Sequence, residues 1–172
     1  MKRRRFAWVL AAAAALAAAG CAGYRLGPTN GAPAGERTVQ VLPFENQTLE
    51  PRLVEPVVSA LRRRLQQDGT FRLATRGDAD IVVEGTLLRY RRRSVSYEPG
   101  DIRSVRDYDL RLTAHVKAYE AAGGRVLLDR DVTARTTVRL AGDQPSAERQ
   151  AAPLLADDLA RRITSLLVDG TW

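Results

Sequence analysis

Cysteine, histidine and lysine are nearly missing from this chain: Cys21 and His115 each stand alone, and Lys2 and Lys117 are the only lysines. A single cysteine can form no intramolecular disulfide. With one imidazole beside it, a zinc site of sulfur and nitrogen ligands cannot be assembled. His115 would have to serve any Ser-His-Asp site, yet it falls mid-strand on a polar face with no strained nucleophile turn nearby. It reads as a solvated strand residue. Gly123-Gly124 is not followed by Lys-Ser or Lys-Thr, so it is a hairpin turn rather than a phosphate loop. Asp129 and Asp131 share a strand face, and Asp157 and Asp158 sit on the outer side of a helix. Glycoside hydrolysis needs carboxyls that oppose one another across a cleft, and neighbours on one element do not supply that. These pairs read as solvated surface. The inventory points away from catalysis and implies neither a metal nor a cofactor.

What is present begins at the amino terminus. Lys2-Arg3-Arg4-Arg5 precedes an uncharged apolar run from Phe6 to Ala19, which closes on small residues before Cys21. This is the plan of an export signal, with a cationic start, an apolar middle and small residues at the cut. The apolar run is shorter than the roughly 17 to 25 residues that a membrane-crossing helix needs, so cleavage is expected rather than a permanent span. Cys21 in that position resembles the acceptor cysteine of bacterial lipoproteins, which implies a signal over residues 1–20 and diacylglycerol and acyl chains, palmitate among them, on Cys21. Ala22 rather than Asp follows it, which by the same analogy implies sorting to the outer membrane. One acyl chain binds a membrane only marginally, with K on the order of 10⁴ per molar, so lasting attachment needs several. Ordinary secretion with a stray cysteine is the alternative.

Loss of residues 1–20 would leave 23 basic residues against 20 acidic ones, so the net charge falls from +7 to +3. The remaining balance makes no general case for nucleic-acid binding. From Tyr24 to Glu36 the chain is rich in Gly, Pro, Asn and Ala without periodicity, which places a flexible tether over residues 21–36. Residues 37–172 then suit one domain with one core.

Within it, Thr38 to Pro43 alternates as a strand. Leu53, Val54, Val57, Val58, Leu61 and Leu65 recur at helical spacing, Pro56 belongs in the first turn, and Gly69 ends the helix. A short strand at Phe71–Ala74 leads to a turn at Arg76-Gly77-Asp78, then to a strand over Ile81–Val95. From Tyr108 to Tyr119 apolar and polar residues alternate without a break, and after the turn Ala121-Ala122-Gly123-Gly124 a partner strand repeats that period, with Val126, Leu128, Val132, Ala134, Val138 and Leu140 on its apolar side. Such alternation belongs to an antiparallel sheet covered on one side. Ser146 is the expected cap of a last helix whose inner stripe is Ala151, Leu155, Leu159, Ile163 and Leu166, with Pro153 kinking it or delaying its regular start. The fold class is therefore α/β: a two-layer sandwich of a mostly antiparallel, one-sided sheet with two helices packed on one face.

Basic and aromatic residues concentrate at one end of that sheet. Arg89, Tyr90, Arg91, Arg92 and Arg93 end one strand, Tyr97, Arg103 and Arg106 lie about the Glu98-Pro99-Gly100-Asp101 turn, and Arg111, His115 and Lys117 occupy the next strand's exposed face. Guanidinium groups there could bind phosphates through paired, charge-assisted hydrogen bonds. A solvated edge that uses charge to discourage aggregation accounts for them equally.

Cys21-Ala22-Gly23-Tyr24-Arg25-Leu26, then Val41-Leu42-Pro43-Phe44-Glu45-Asn46-Gln47-Thr48-Leu49-Glu50-Pro51, then Ala79 to Leu87, then Tyr108-Asp109-Leu110-Arg111-Leu112 and the closing helix together resemble the LptE family of lipopolysaccharide-assembly lipoproteins. The resemblance implies a sheet with two helices on one face, a seat within the LptD-type outer-membrane barrel, which such a protein plugs and helps assemble, and binding of lipopolysaccharide on its way to the cell surface. It further implies localisation at the outer membrane through the lipid anchor, on the periplasmic side or in the barrel lumen. Arg89, Arg91, Arg92, Arg93, Arg103, Arg106, Arg111 and Lys117 become the candidates for contact with lipopolysaccharide. Val-x-Pro-Phe-x-Asn-x-Thr after a first strand also occurs in periplasmic lipoproteins that regulate cell-wall synthases or form secretion assemblies, which would use the same surface to dock a protein. An envelope hydrolase is the third reading.

Overall fold

The computed structural model describes residues 35–98, 100–139 and 144–170, so the expected signal, Cys21 and most of the tether lie outside the described residues. In chain order the elements are β1 (Thr38–Val41), β2 (Glu45–Asn46), a 3-10 turn at Pro51–Leu53 that runs into α1 (Val54–Asp68), β3 (Arg72–Leu73), β4 (Ile81–Glu98), β5 (Asp101–Glu120), β6 (Val126–Arg139) and α2 (Gln144–Val168). The sheet order is β3-β1-β4-β5-β6, with β2 also on β4. The long strands β4, β5 and β6 are antiparallel, while β1 and β2 join β4 in parallel. Both helices cover one face.

The alternation over Tyr108–Tyr119 produces the observed burial: Leu110, Leu112, Ala114, Val116 and Ala118 are fully buried against the helices. Leu61 and Leu65 of α1 and Leu155, Leu159 and Ile163 of α2 meet them, and full burial of each such side chain contributes roughly 1.5–3 kcal/mol. α1 ends as its sequence requires, with Gly69 in the left-handed region (φ 77°) and its N–H bonded to the Leu65 carbonyl at 3.3 Å. Pro56 sits in the first turn, where its missing N–H has no helical partner to lose.

Val126, expected on the apolar side of β6, is exposed because the register shifts between Ala118 and Tyr119, and four further features depart from the sequence reading. The β4–β5 hairpin is longer than expected: β4 continues to Glu98 and β5 begins at Asp101, so Arg103 and Arg106 belong to a strand rather than to a loop. α2 begins at Gln144 and continues through Pro153, and Ser146 lies inside it, its hydroxyl accepting a hydrogen bond from Arg149. Near its end Leu167, not Leu166, is fully buried, because α2 packs on α1 as well as on the sheet and so buries a wider stripe that takes in Ala156 and Ala160.

The last departure concerns Asp158, expected as solvated surface. Its side chain is only 14% exposed and accepts the Arg135 backbone N–H at 3.0 Å, together with Arg162 Nε at 2.9 Å and Arg161. β6 is an edge strand, so an outward N–H there has no neighbouring strand to bond, and Asp158 reaches from α2 to satisfy it. Hydrogen bonds from the Arg135 amide, Arg162 and Arg161 outweigh the cost of burial and hold the Asp158 carboxyl below its ordinary pKa.

Candidate functional site

The face of the sheet opposite the helices is polar, and a bulge decides what stands on it. Leu87 pairs with Ala114, but Arg89 pairs with Thr113, so Leu88 is an extra residue in β4 and the side chains from Arg89 to Ser94 change face, until a second shift between Ser94 and Ser96 reverses the phase again. Arg89, Arg91 and Arg93 thereby project on the polar face. Tyr90 and Arg92 project on the helix side, where the Arg92 guanidinium lies 5.5 Å from the Tyr108 ring centroid. The run Arg91-Arg92-Arg93 is thus split between two faces.

Across the polar face Arg91, Arg111 and Arg135 are in register on β4, β5 and β6. Three cations in one rung repel one another. Beneath them lies Asp109, whose side chain is 2% exposed; its carboxylate accepts Arg111 Nε at 2.9 Å and Arg135 Nε at 2.5 Å. Burial disfavours the ionised form of Asp109, but the bonds from Arg135 and Arg111 outweigh it and keep the carboxyl below its ordinary range. One rung further out Asp107 accepts the Ser96 hydroxyl, Arg106 Nε at 3.1 Å and Arg139 Nε at 3.2 Å. The Ser96 hydrogen bond, followed by those of the two arginines, brings its pKa down to about 2. Ser96 pairs with Asp107 and Tyr97 with Val105, so Arg106 is the extra residue of a bulge in β5, and from there it reaches the neighbouring Asp107. No carboxylate among the described residues pairs with Arg89, Arg91 or Arg93.

The other half of this face has a different character. Thr113 and Thr133 share a hydrogen bond at 3.0 Å, and below them His115 meets Asp131 through Nδ1 at 2.9 Å and Asp129 through Nε2 at 3.1 Å. Lys117, in register with Glu84 and Asp129, stands over the Tyr119 ring. It lies six residues along β5 from Arg111, roughly 20 Å at strand rise. At the far end Glu120 accepts Arg125 Nε and Nη2 together, at 3.0 and 2.6 Å, and Arg37 Nη2 at 2.6 Å. Those bonds, Arg125's foremost, bring the Glu120 pKa to about 2. Among the described residues, no group of three or more His, Cys, Asp or Glu side chains could hold a metal, and no helix is long and apolar enough to cross a membrane.

Of the residues singled out in the sequence, the fold gathers Arg89, Arg91, Arg93, Arg106 and Arg111. It sets Arg92 on the other face and Lys117 at a distance, and the Arg103 side chain is outside what is described. Four members of the cluster were missed: Asp107, Asp109, Arg135 and Arg139. The alternation of β6 already placed Arg135 and Arg139 opposite its apolar residues, so that signal was available.

The same architecture occurs in solved structures. A minor lipoprotein from Acinetobacter baumannii is 21% identical, with a TM-score of 0.53 over 80% of this chain and 94% of that one. The PelC dodecamer from Paraburkholderia phytofirmans is 19% identical, with a TM-score of 0.51 over 84% and 96%. A Xanthomonas campestris protein is 12% identical, with a TM-score of 0.55 over 84% and 92%. At these identities the likeness is one of fold. No functionally curated protein matches the chain in sequence. The family model for LptE, described as lipopolysaccharide-assembly, matches residues 36–167. A match of that extent covers the whole sheet and both helices, and the chain belongs to the LptE lipopolysaccharide-assembly family.

Proposed function

We propose that this protein is a lipid-anchored component of the outer membrane that binds lipopolysaccharide and seats in an LptD-type barrel, which it plugs and helps to assemble. Family membership supports this choice of partner class. The observation that carries the reading is the sheet face, covered by no described element, on which Arg89, Arg91 and Arg93 stand beside Arg111, Arg135 and Arg139, the last three held by two carboxylates. Guanidinium forks suit phosphate oxygens through paired hydrogen bonds, and phosphates are the fixed anions of lipid A. Arg103 and Arg106 belong to the β5 end of the adjoining hairpin, Arg92 stands on the opposite face, and Lys117 contributes charge further along the polar face. Cys21 is the proposed site of lipid attachment and residues 1–20 the segment removed.

Affinity purification of the full-length protein from detergent-solubilised envelopes tests this reading. Recovery of an LptD-type barrel together with lipopolysaccharide is expected. Recovery of a cell-wall synthase without a barrel would replace it with a regulatory docking role.

A further inference from the structure

A similar pairing occurs on two neighbouring rungs of the polar face, although Arg106 reaches Asp107 from the adjacent bulged position and Ser96 also donates to Asp107. Asp109 is held between Arg111 on its own strand and Arg135 on β6, and Asp107 between Arg106 on its own strand and Arg139 on β6. All four arginines donate Nε. Among the described residues no hydrogen bond uses their terminal nitrogens, so each keeps its outer N–H groups for another acceptor. The contrast is at the opposite end of the sheet, where Glu120 takes both Nε and Nη2 of Arg125 and closes the fork. Depth separates the groups as well. Asp109 and Asp107 are 2% and 15% exposed, while Arg111, Arg135 and Arg139 are 49%, 57% and 68% exposed, so the carboxylates lie beneath and the guanidiniums face outward.

We propose that Asp107 and Asp109 are positioning residues of a site for polyphosphorylated ligands, each turning two guanidinium groups side-on so that their terminal nitrogens cradle one phosphoryl group. The two cradles are two residues apart on β5, about 7 Å at strand rise, and accept two phosphoryl groups on one molecule. Arg89, Arg91 and Arg93 add charge from β4 without a fixed orientation. Holding the side chains in place before the ligand arrives lowers the ordering cost of binding. The choice of a glycolipid headgroup as the source of the phosphates rests on the lipopolysaccharide reading above; the cradle geometry does not.

The test turns on a sign. Neutralising an acid within a basic patch tightens anion binding if charge alone matters, whereas loss of a positioning carboxylate weakens it. Asp109→Asn keeps the side-chain volume but converts one acceptor oxygen into a donor nitrogen, so one arginine loses its partner. With the full-length protein in detergent, calorimetric titration with inositol hexakisphosphate and with lipid A in mixed micelles of the same detergent should show affinity reduced roughly tenfold. Affinity for inorganic phosphate, which fills one cradle, should fall less, a difference that a folding defect would not produce. Glu84→Gln removes a negative charge from the same face without touching a recorded guanidinium contact and should leave affinity unchanged or slightly tighter. Asp107→Asn provides a second variant if Asp109→Asn melts below the assay temperature. Weakening with both probes supports the cradle for phosphates of either source, and weakening with lipid A micelles alone supports it for the lipid headgroup. Equal or tighter binding by the Asp variants overturns the proposal, as does failure of the unaltered protein to bind either probe. Neither of those two results bears on copurification with a barrel.

Discussion

Replacing Gly85 by Ala should unseat Phe44. A Cβ at position 85 would lie 2.5 Å from Phe44 Cε2, 2.8 Å from Phe44 Cζ and 2.9 Å from the His115 carbonyl oxygen. Carbon atoms pack at about 3.5–4.0 Å, so the ring has to retreat by about 1 Å. It is 5% exposed and belongs to the core, and the carbonyl is part of the β5 ladder, so neither yields freely. Overpacking of this kind costs about 1–3 kcal/mol. For a domain of this size that corresponds to a fall in Tm of roughly 4 °C per kcal/mol. A double-mutant cycle followed by thermal denaturation isolates the contact. Phe44→Ala alone should cost about 3–5 kcal/mol, as large-to-small changes in cores do. In its background the two ring contacts are gone and the His115 carbonyl at 2.9 Å remains, so the penalty of Gly85→Ala should become smaller than in the unaltered protein. A Gly85→Ala protein with unchanged Tm, or additive effects of the two substitutions, would refute the assignment of Phe44 to this contact.

Three further outcomes follow from the ion pairs and the exposed arginines. Glu120 has its pKa lowered to about 2 from an ordinary 4.5, so its contribution is present above about pH 4.5 and is lost as the pH falls toward 2; the Tm difference between the unaltered protein and Glu120→Gln should narrow over that interval. Asp158→Ala leaves an edge amide of β6 without its acceptor and should cost about 1–3 kcal/mol, with faster hydrogen exchange at the Arg135 N–H as the local sign. Replacing Arg89, Arg91 and Arg93 together by Ser should weaken binding to lipopolysaccharide vesicles and flatten its salt dependence, while stability changes by no more than about 0.5 kcal/mol per position.

The elements that were legible in the sequence are those in which one period persists. Leu110 to Ala118 alternates with no exception, and β5 follows; Val57, Leu61 and Leu65 repeat at helical spacing, and α1 follows. The site was less legible because it depends on a change of phase. Leu87 and Leu88 are both apolar, and neither a glycine nor a proline marks the bulge between Leu87 and Arg89, so nothing local shows that Arg91 rather than Arg92 takes the polar face. Asp109 sits in the polar half of the β5 alternation and reads as solvated, yet arginines from two strands bury it. Asp158 was misread for a related reason, since a helical wheel carries no information about an unsatisfied amide on a strand formed earlier in the chain. β2, two residues long, has no period to detect and exists because Glu45 and Asn46 lie beside Thr86 and Leu87.

The proposed function places its contacts on the polar sheet face, since the helices cover the other. Thr133 is exposed on that face, at the rung next to Arg111 and Arg135, and its replacement disturbs no arginine contact. The most direct test places a photoreactive amino acid at position 133 of the full-length protein in intact cells. Crosslinks to an LptD-type barrel and to lipopolysaccharide are the predicted result, and crosslinks to a periplasmic cell-wall synthase with neither of these would contradict the account.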